Sequence, residues 1–304
     1  MASGWPELAY EQWSEICDTL HAHTQLLGKL AVALAPPEPQ LQHAALRLTA
    51  RGWETAPLPA PDGSGALVVA LDLHTHHAVV EHSAGRVERT ALAPDRPVGE
   101  VTRAVLASVR SLGGAIEVNL TPQEVPWSVP LDEDDEHARY DAAPVAAYFA
   151  AATQAALVLA AFRAPYRGRS TPVNAWWGSF DLAVSLFSGR SAEAGSHDFI
   201  TRNSATAQQV EIGWWPGDAR HPKAAFFGFA FPAPDSFANG VLSAGAWDAE
   251  LGEYLLDWDD VVGADDSFAV ALGFGRSVVR HACTVCEWDP LLAASAQGNP
   301  PPVS

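Results

Sequence analysis

A chain of 304 residues, 48% of them apolar, is long enough to bury one large core or two moderate ones, and this is not the composition of a disordered protein. Its 18 basic residues face 36 acidic ones, and the formal charge of −18 repels phosphate backbones and anionic lipid surfaces, which argues against nucleic-acid or membrane partners. Three cysteines are too few for a disulfide framework, and the opening MASGWPELAYEQW has neither a basic start nor an apolar run, so a cytoplasmic location is expected.

From residue 7 to 34 apolar side chains recur at three- and four-residue steps (Leu8, Trp13, Ile16, Leu20, Leu27, Leu30). That spacing predicts a helix, stopped by the prolines of APPEP at 35–39. Short strands follow in AALRLTA, WETAPLP, GALVVALDLH and HAVVEHSAGRVERTALA, the last with a hairpin turn at Ser83-Ala84-Gly85. VGEVTRAVLASVRSLGG predicts a second helix with Val98, Val101, Val105, Leu106, Val109 and Leu112 inward, and AIEVNL a strand. The proline- and acid-rich run 121–141 is the candidate internal boundary.

Residues 142–162 carry no formal charge and would span a bilayer, yet their alanine content and Pro144, Thr153 and Gln154 favour a helix packed inside a protein. Strands are expected near 173–186, 208–215, 224–231 and 253–256, then a final helix over 266–286. The expected architecture is an α+β fold, antiparallel sheets covered by helices, with two similar helix–strands–helix halves. These halves are placed at 1–125 and 126–290, packed as one globular unit, with 291–304 as a flexible tail.

The most structured stretch is VNAWWGSFDLAVSLFSG, residues 173–189. Strand alternation puts Trp176, Phe180, Leu182, Val184 and Leu186 on one face and Trp177, Ser179 and Asp181 on the other. GWWPG likewise separates Trp214 from Trp215, and AAFFGFAFPAP groups Phe227 with Phe229 and Phe231. Such strands wall a cavity for an apolar or aromatic ligand, or else both faces are core beneath helices. Asp181, if buried, needs a partner, either an arginine such as Arg163 or Arg169 or a ligand.

WPELAYEQW, TLHAHTQLLGKL, TARGW, EVPWSVPLDEDDEHARYD, PVNAWWGSFDLAVSLFSGR, WWPG and AELGEYLLDWDDV together resemble, in order and from about residue 5 to 289, a bacterial family known as domain of unknown function 5996. The resemblance implies that His21, His43, His76, His137, Asp181, Glu250 and Glu253 are shared with the family. It also implies departures. Asn174 stands where the family has a histidine, Ala207-Gln208 where it has a His-Glu pair, and an extra histidine near Gln40 is missing. A metal or acid–base set built on those residues would be incomplete here, which marks a divergent member.

Several clusters can carry chemistry. His21 and His23 lie about 200° apart on a helix and cannot face one ion, whereas His74 and His76 would share a strand face. A mononuclear zinc or iron site would draw on His21, His43 and His76. HACTVC holds Cys283 and Cys286 inside a helical pattern, where buried packing is the plain reading. In DEDDEHARYD, His137 and Asp141 are four apart and would pair on one helical face. Glu253 and Asp257 would share a strand face, and a carboxyl raised by aromatic walls is a general acid. No GxSxG elbow, P-loop, GxGxxG or HExxH is present.

The leading expectation is an enzyme acting on a small apolar or aromatic molecule by acid–base chemistry without a redox cofactor, of cyclase, dehydratase or isomerase type. Asp181, His21, Glu253 and His137 are its catalytic candidates. Trp177, Ser179, Trp215, Phe227, Asn174 and Gln208 would contact substrate. The alternatives are the histidine-ligated metal enzyme and a non-catalytic small-molecule-binding or partner protein.

Overall fold

The computed structural model, described for residues 5–195 and 198–298, carries two antiparallel sheets and their covering helices, an α+β fold as the periodicities predict. The chain falls into two compact units, both discontinuous in sequence. The first is Glu11–Phe149 with Ala175–Asp181, and the second is Met1–Tyr10, Ala150–Asn174 and Leu182–Ser304.

In the first unit, α1 (Ser14–Leu34) buries Leu20, Leu26, Leu27 and Leu30 and ends at Ala35, where Pro36 cannot supply the next helical N–H. Six short strands follow: β1 (Arg47–Thr49), β2 (Gly52–Glu54), β3 (Leu58–Pro59), β4 (Ala66–Asp72), β5 (His77–His82) and β6 (Val87–Ala91). They pair in the order β1-β2-β4-β5-β6, with β3 on β4. His74 and His76 do not lie on a strand. They sit in the β4–β5 turn, where Asp72 Oδ1 accepts the N–H groups of His74 and Thr75 and His76 adopts φ +55°. Helix α2 (Val98–Gly113) lays its predicted apolar stripe on β5 and β6 and stops at Gly114, φ +98°.

The expected strand at 115–120 is absent. None of its side chains is fully buried and no neighbouring strand pairs with it, so nothing offsets the cost of ordering it. Helix α3 (Ala142–Arg163) starts where Asp141 Oδ1 accepts the Ala143 N–H. By length and composition it could cross a membrane. It nevertheless buries Val145, Tyr148, Ala152, Ala155, Leu159 and Phe162, the three- and four-residue stripe of a core helix.

The stretch 173–189 differs from its expectation. Instead of one strand it is β7 (Asn174–Trp176), a turn over 177–180 with Phe180 at φ +59°, and β8 (Asp181–Ser191). Trp177, Ser179 and Asp181 therefore do not share a strand face, because the turn breaks the alternation between them.

The second unit continues with α4 (Phe199–Ser204), β9 (Ala207–Trp215), β10 (Ala225–Phe231), β11 (Ala246–Asp248), β12 (Glu253–Asp257), α5 (Trp258–Val262), α6 (Ser267–Val285) and α7 (Pro290–Ala296). Its sheet runs β11-β12-β10-β9-β8, with β7 at the edge. Helix α6 covers the face bearing Ile212 and Gly228. A Cβ on Gly228 would meet Val278, and one on Gly275 would meet Ile212 and Phe162. The segment expected as a tail is helical through Ala296, and residues 299–304 lie outside the described residues.

Candidate active site

The sheet face of the second unit turned away from α6 gathers the chemistry. Cross-strand register lays it out in rows. Ser185, Glu211 and Phe229 are successive partners on β8, β9 and β10, and Glu253 continues the row one step past the Gly228–Tyr254 pair. The next row is Ala183, Gly213, Phe227 and Leu255, and beyond it come Trp215, Ala225 and Asp257. Gly213 is required here. The Phe227 ring lies over it, and a Cβ would stand 2.2 Å from Phe227 Cζ. Phe227 and Phe229 stack at 6.3 Å, a flat apolar floor between the two glutamates.

Glu211 and Glu253 are both half-buried on this floor. Burial raises the Glu211 carboxyl, opposed by the hydroxyl of Ser185, which donates to its Oε2. Burial also raises Glu253, and the Glu211 charge adds to it, bringing the carboxyl to about 7 against the pull of Arg220. One strand separates the pair, which sets their backbones roughly 10 Å apart. Two raised carboxyls facing each other across an apolar floor are candidates for an acid and a base.

At the other end of the face His221 Nε2 is 3.0 Å from Asp257 Oδ1, while Lys223 Nζ holds Oδ2 at 2.7 Å. The loop that delivers them is built by Asp218, whose Oδ1 accepts the N–H groups of Arg220 and His221. Gly217 permits the turn at φ +91°, where a Cβ would strike the Lys223 backbone. The imidazole of His221 stacks on Trp215 at 6.0 Å.

In the first unit the remaining candidates surround a column of rings. His21 stacks on Phe180 at 4.9 Å, and Phe180 stacks on Trp53 and Tyr148. Trp127 bridges His21 to His137, with centroids at 5.2 and 4.5 Å. The Nε2 of His21 lies 2.9 Å from the Trp177 carbonyl and 3.0 Å from that of Gly178. Carbonyls only accept, so this nitrogen carries the proton and pins the 177–180 turn. Trp177 donates Nε1–H to the Ala44 carbonyl, and the buried Asp181 accepts from the Ser179 hydroxyl.

His137 pairs with a carboxylate as expected, but the partner is Asp134 at 2.8 Å and not Asp141. Residues 137–141 are not helical, so the four-residue spacing has no meaning there; Asp141 caps α3 instead. The hydrogen bond that the His137 ring donates to Asp134 raises the His137 imidazole above its ordinary value, while burial opposes it. Burial raises Asp134 itself, and the bonds from the His137 ring and backbone outweigh that and lower it. A surface cleft lined by Glu11, Trp13, Glu15 and Arg139 contains none of the predicted site residues.

Of the expected set, the second unit brings together Glu253, Trp215 and Phe227, and the first unit His21, His137, Asp181, Trp177 and Ser179. Gln208 points to the opposite face of β9 from Glu211, and Asn174 is buried on the edge strand β7. Arg163 donates to Ser170 and Arg169 lies over the Phe187 ring. His43 Nδ1 accepts the Glu38 N–H, and His76 Nδ1 lies 2.9 Å from the Tyr140 hydroxyl. No three His, Cys, Asp or Glu side chains converge on a metal position among the described residues. Glu211 was missed, although QQVEIGWW sets Glu211, Gly213 and Trp215 at alternate positions, the signal of one strand face.

Residues 5–294 match the model of a family described as a family of unknown function (DUF5996), and the chain belongs to it. No curated protein and no solved structure matches the chain.

Proposed function

We propose that this DUF5996 member is a cytoplasmic enzyme that rearranges a small apolar or aromatic molecule by acid–base chemistry, as a cyclase, dehydratase or isomerase does, without a redox cofactor. The observation that carries the reading is the Glu211–Glu253 pair on the Phe227–Phe229 floor. Near neutral pH Glu253 is about half protonated and serves as the general acid. Glu211, raised by burial against the opposing hydrogen bond from the Ser185 hydroxyl, is assigned the general base. A planar substrate lying on the two phenylalanines receives a proton at one end and loses one at the other, so net charge is conserved. Trp215 walls the far end, where the His221–Asp257 pair is a further polar contact. The strongly acidic surface supports a soluble small-molecule enzyme over a nucleic-acid or membrane partner.

The test is untargeted mass spectrometry of a small-molecule extract incubated with the protein. Acid–base rearrangement predicts a substrate consumed into a product of equal mass or one water lighter, and both Glu253→Gln and Glu211→Gln should abolish the conversion. A mass change that needs an oxidant, or turnover unchanged in both folded variants, refutes the proposal.

A further inference from the structure

The cleft at the start of α1, in the first unit, holds about 440 Å³, within the roughly 300–1,000 Å³ of small-molecule sites. Its walls are residues 11–16 and 139–141, and it opens to solvent past the exposed Glu11, Glu15 and Arg139. None of these residues belongs to the unit that carries the glutamate pair, so the two sites are independent.

The cleft is rich in donors. The first bond of α1 runs from the Cys17 N–H to the Trp13 carbonyl at 2.8 Å, so the helix itself offers no carbonyl to the N–H groups of Ser14, Glu15 and Ile16. Trp13 holds the cap position and has no side-chain acceptor to supply. Its indole is 3% exposed, lines the same cleft, and carries an Nε1–H that meets no acceptor among the described residues. A shielded donor without an acceptor is costly, and an acceptor on a ligand removes that cost. Arg139 Nε stands 3.4 Å from Glu15 Oε2, and with side chains 69% and 76% exposed this pair is loose enough for the guanidinium to turn to a ligand.

The same cleft is rich in carboxylates. Glu11, Glu15 and Asp141 outnumber Arg139, so an anion alone is repelled, while the positive start of α1 repels a simple cation. A molecule with both charges satisfies both sets of groups. We infer that the cleft binds a small zwitterion of the α-amino acid class. Its carboxylate lies against the opening N–H groups of α1 and takes Arg139 as counter-ion, as anions do at helix N-termini. Its ammonium lies against Glu11 and Asp141. Asp141 Oδ1 already accepts the Ala143 N–H at 2.9 Å, and Oδ2 remains for the ligand. The Tyr140 hydroxyl is occupied by His76 Nδ1 at 2.9 Å, so Tyr140 offers its ring as the apolar wall.

The experiment titrates the intact protein at pH 7 with L-phenylalanine, with 2-phenylethylamine, which lacks the carboxylate, and with 3-phenylpropionate, which lacks the amine, and reads binding by calorimetry. Phenylalanine is expected to bind at least about tenfold more tightly than either analogue, because one lost charge-assisted contact is worth about that factor. Two exposed substitutions locate the poles. Arg139→Gln should weaken phenylalanine and phenylpropionate and leave phenylethylamine no weaker, whereas Glu11→Gln should weaken phenylalanine and phenylethylamine and leave phenylpropionate no weaker. Absence of phenylalanine binding at millimolar concentration, an analogue that binds as tightly as phenylalanine, or affinities unmoved by both substitutions overturns the inference.

Discussion

Replacing Glu253 by glutamine isolates the charge from the shape. In the folded protein the carboxyl is brought to about 7 from an ordinary 4.5, first by burial and then by Glu211. A raised carboxyl binds more protons folded than unfolded, so it lowers stability as pH rises through the interval between those two values. The full shift corresponds to roughly 3 kcal/mol at 1.36 kcal/mol per unit, an upper bound because the half-buried side chain is partly screened by solvent. Glutamine keeps the volume and never ionises. Glu253→Gln should therefore stabilise the protein by under about 1 kcal/mol at pH 5 and by as much as about 3 kcal/mol at pH 8.5. Urea unfolding at the two pH values, followed by circular dichroism, measures both. An identical difference at pH 5 and pH 8.5 would show that the carboxyl is not shifted and would remove the general acid from the proposal.

Two further outcomes are expected. Asp134→Asn should bring the His137 imidazole down toward its ordinary value, read by histidine proton NMR. A raised histidine stabilises below its unfolded pKa, and the contribution is lost as pH rises through the folded one, so the variant should lose about 1.5–3 kcal/mol at pH 6 and less at pH 9. A His137 titration unmoved by the change would break the pairing. Gly28→Ala places a Cβ 2.0 Å from Trp177 Cγ and should cost about 3 kcal/mol or more, seen as a lowered melting temperature with altered tryptophan fluorescence. An unchanged melting temperature would contradict the close approach.

The long elements were legible because their signal is repeated. Three- and four-residue periods place α2 and the end of α1, although the expected start at residue 7 lies well before Ser14. The uncharged alanine-rich run places α3, and alternation groups Phe227 with Phe229 and Glu253 with Asp257, as the second sheet has them. What failed was local in each case. Alternation read through 173–186 assumed an unbroken strand, and Phe180 at φ +59° turns the chain in its midst. No sequence period reveals a single left-handed residue that is not glycine. His137 was matched to Asp141 by helical spacing, yet the residue that reaches it is Asp134, in a non-helical turn where three residues suffice. Lys29 drew no notice because its charge suggests surface. The polar stripe His21, Gln25 and Lys29, at four-residue steps along α1, shows otherwise, since all three are buried.

The return of Ala175–Asp181 to the first unit also sets an order in time. A ribosome finishes residues 11–149 well before it reaches Trp177 and Phe180. Until those arrive, Gly28 has no ring above it, His21 has no turn to pin, and the column of Trp53, Tyr148 and Phe180 lacks its middle member. Residues 5–10, made earlier, belong to the unit completed last, and Pro6 waits for Trp258 to donate its indole N–H. Neither unit can close during synthesis by growing outward from its own N-terminus. Each is a parenthesis opened early and shut only by residues that come after the other has begun.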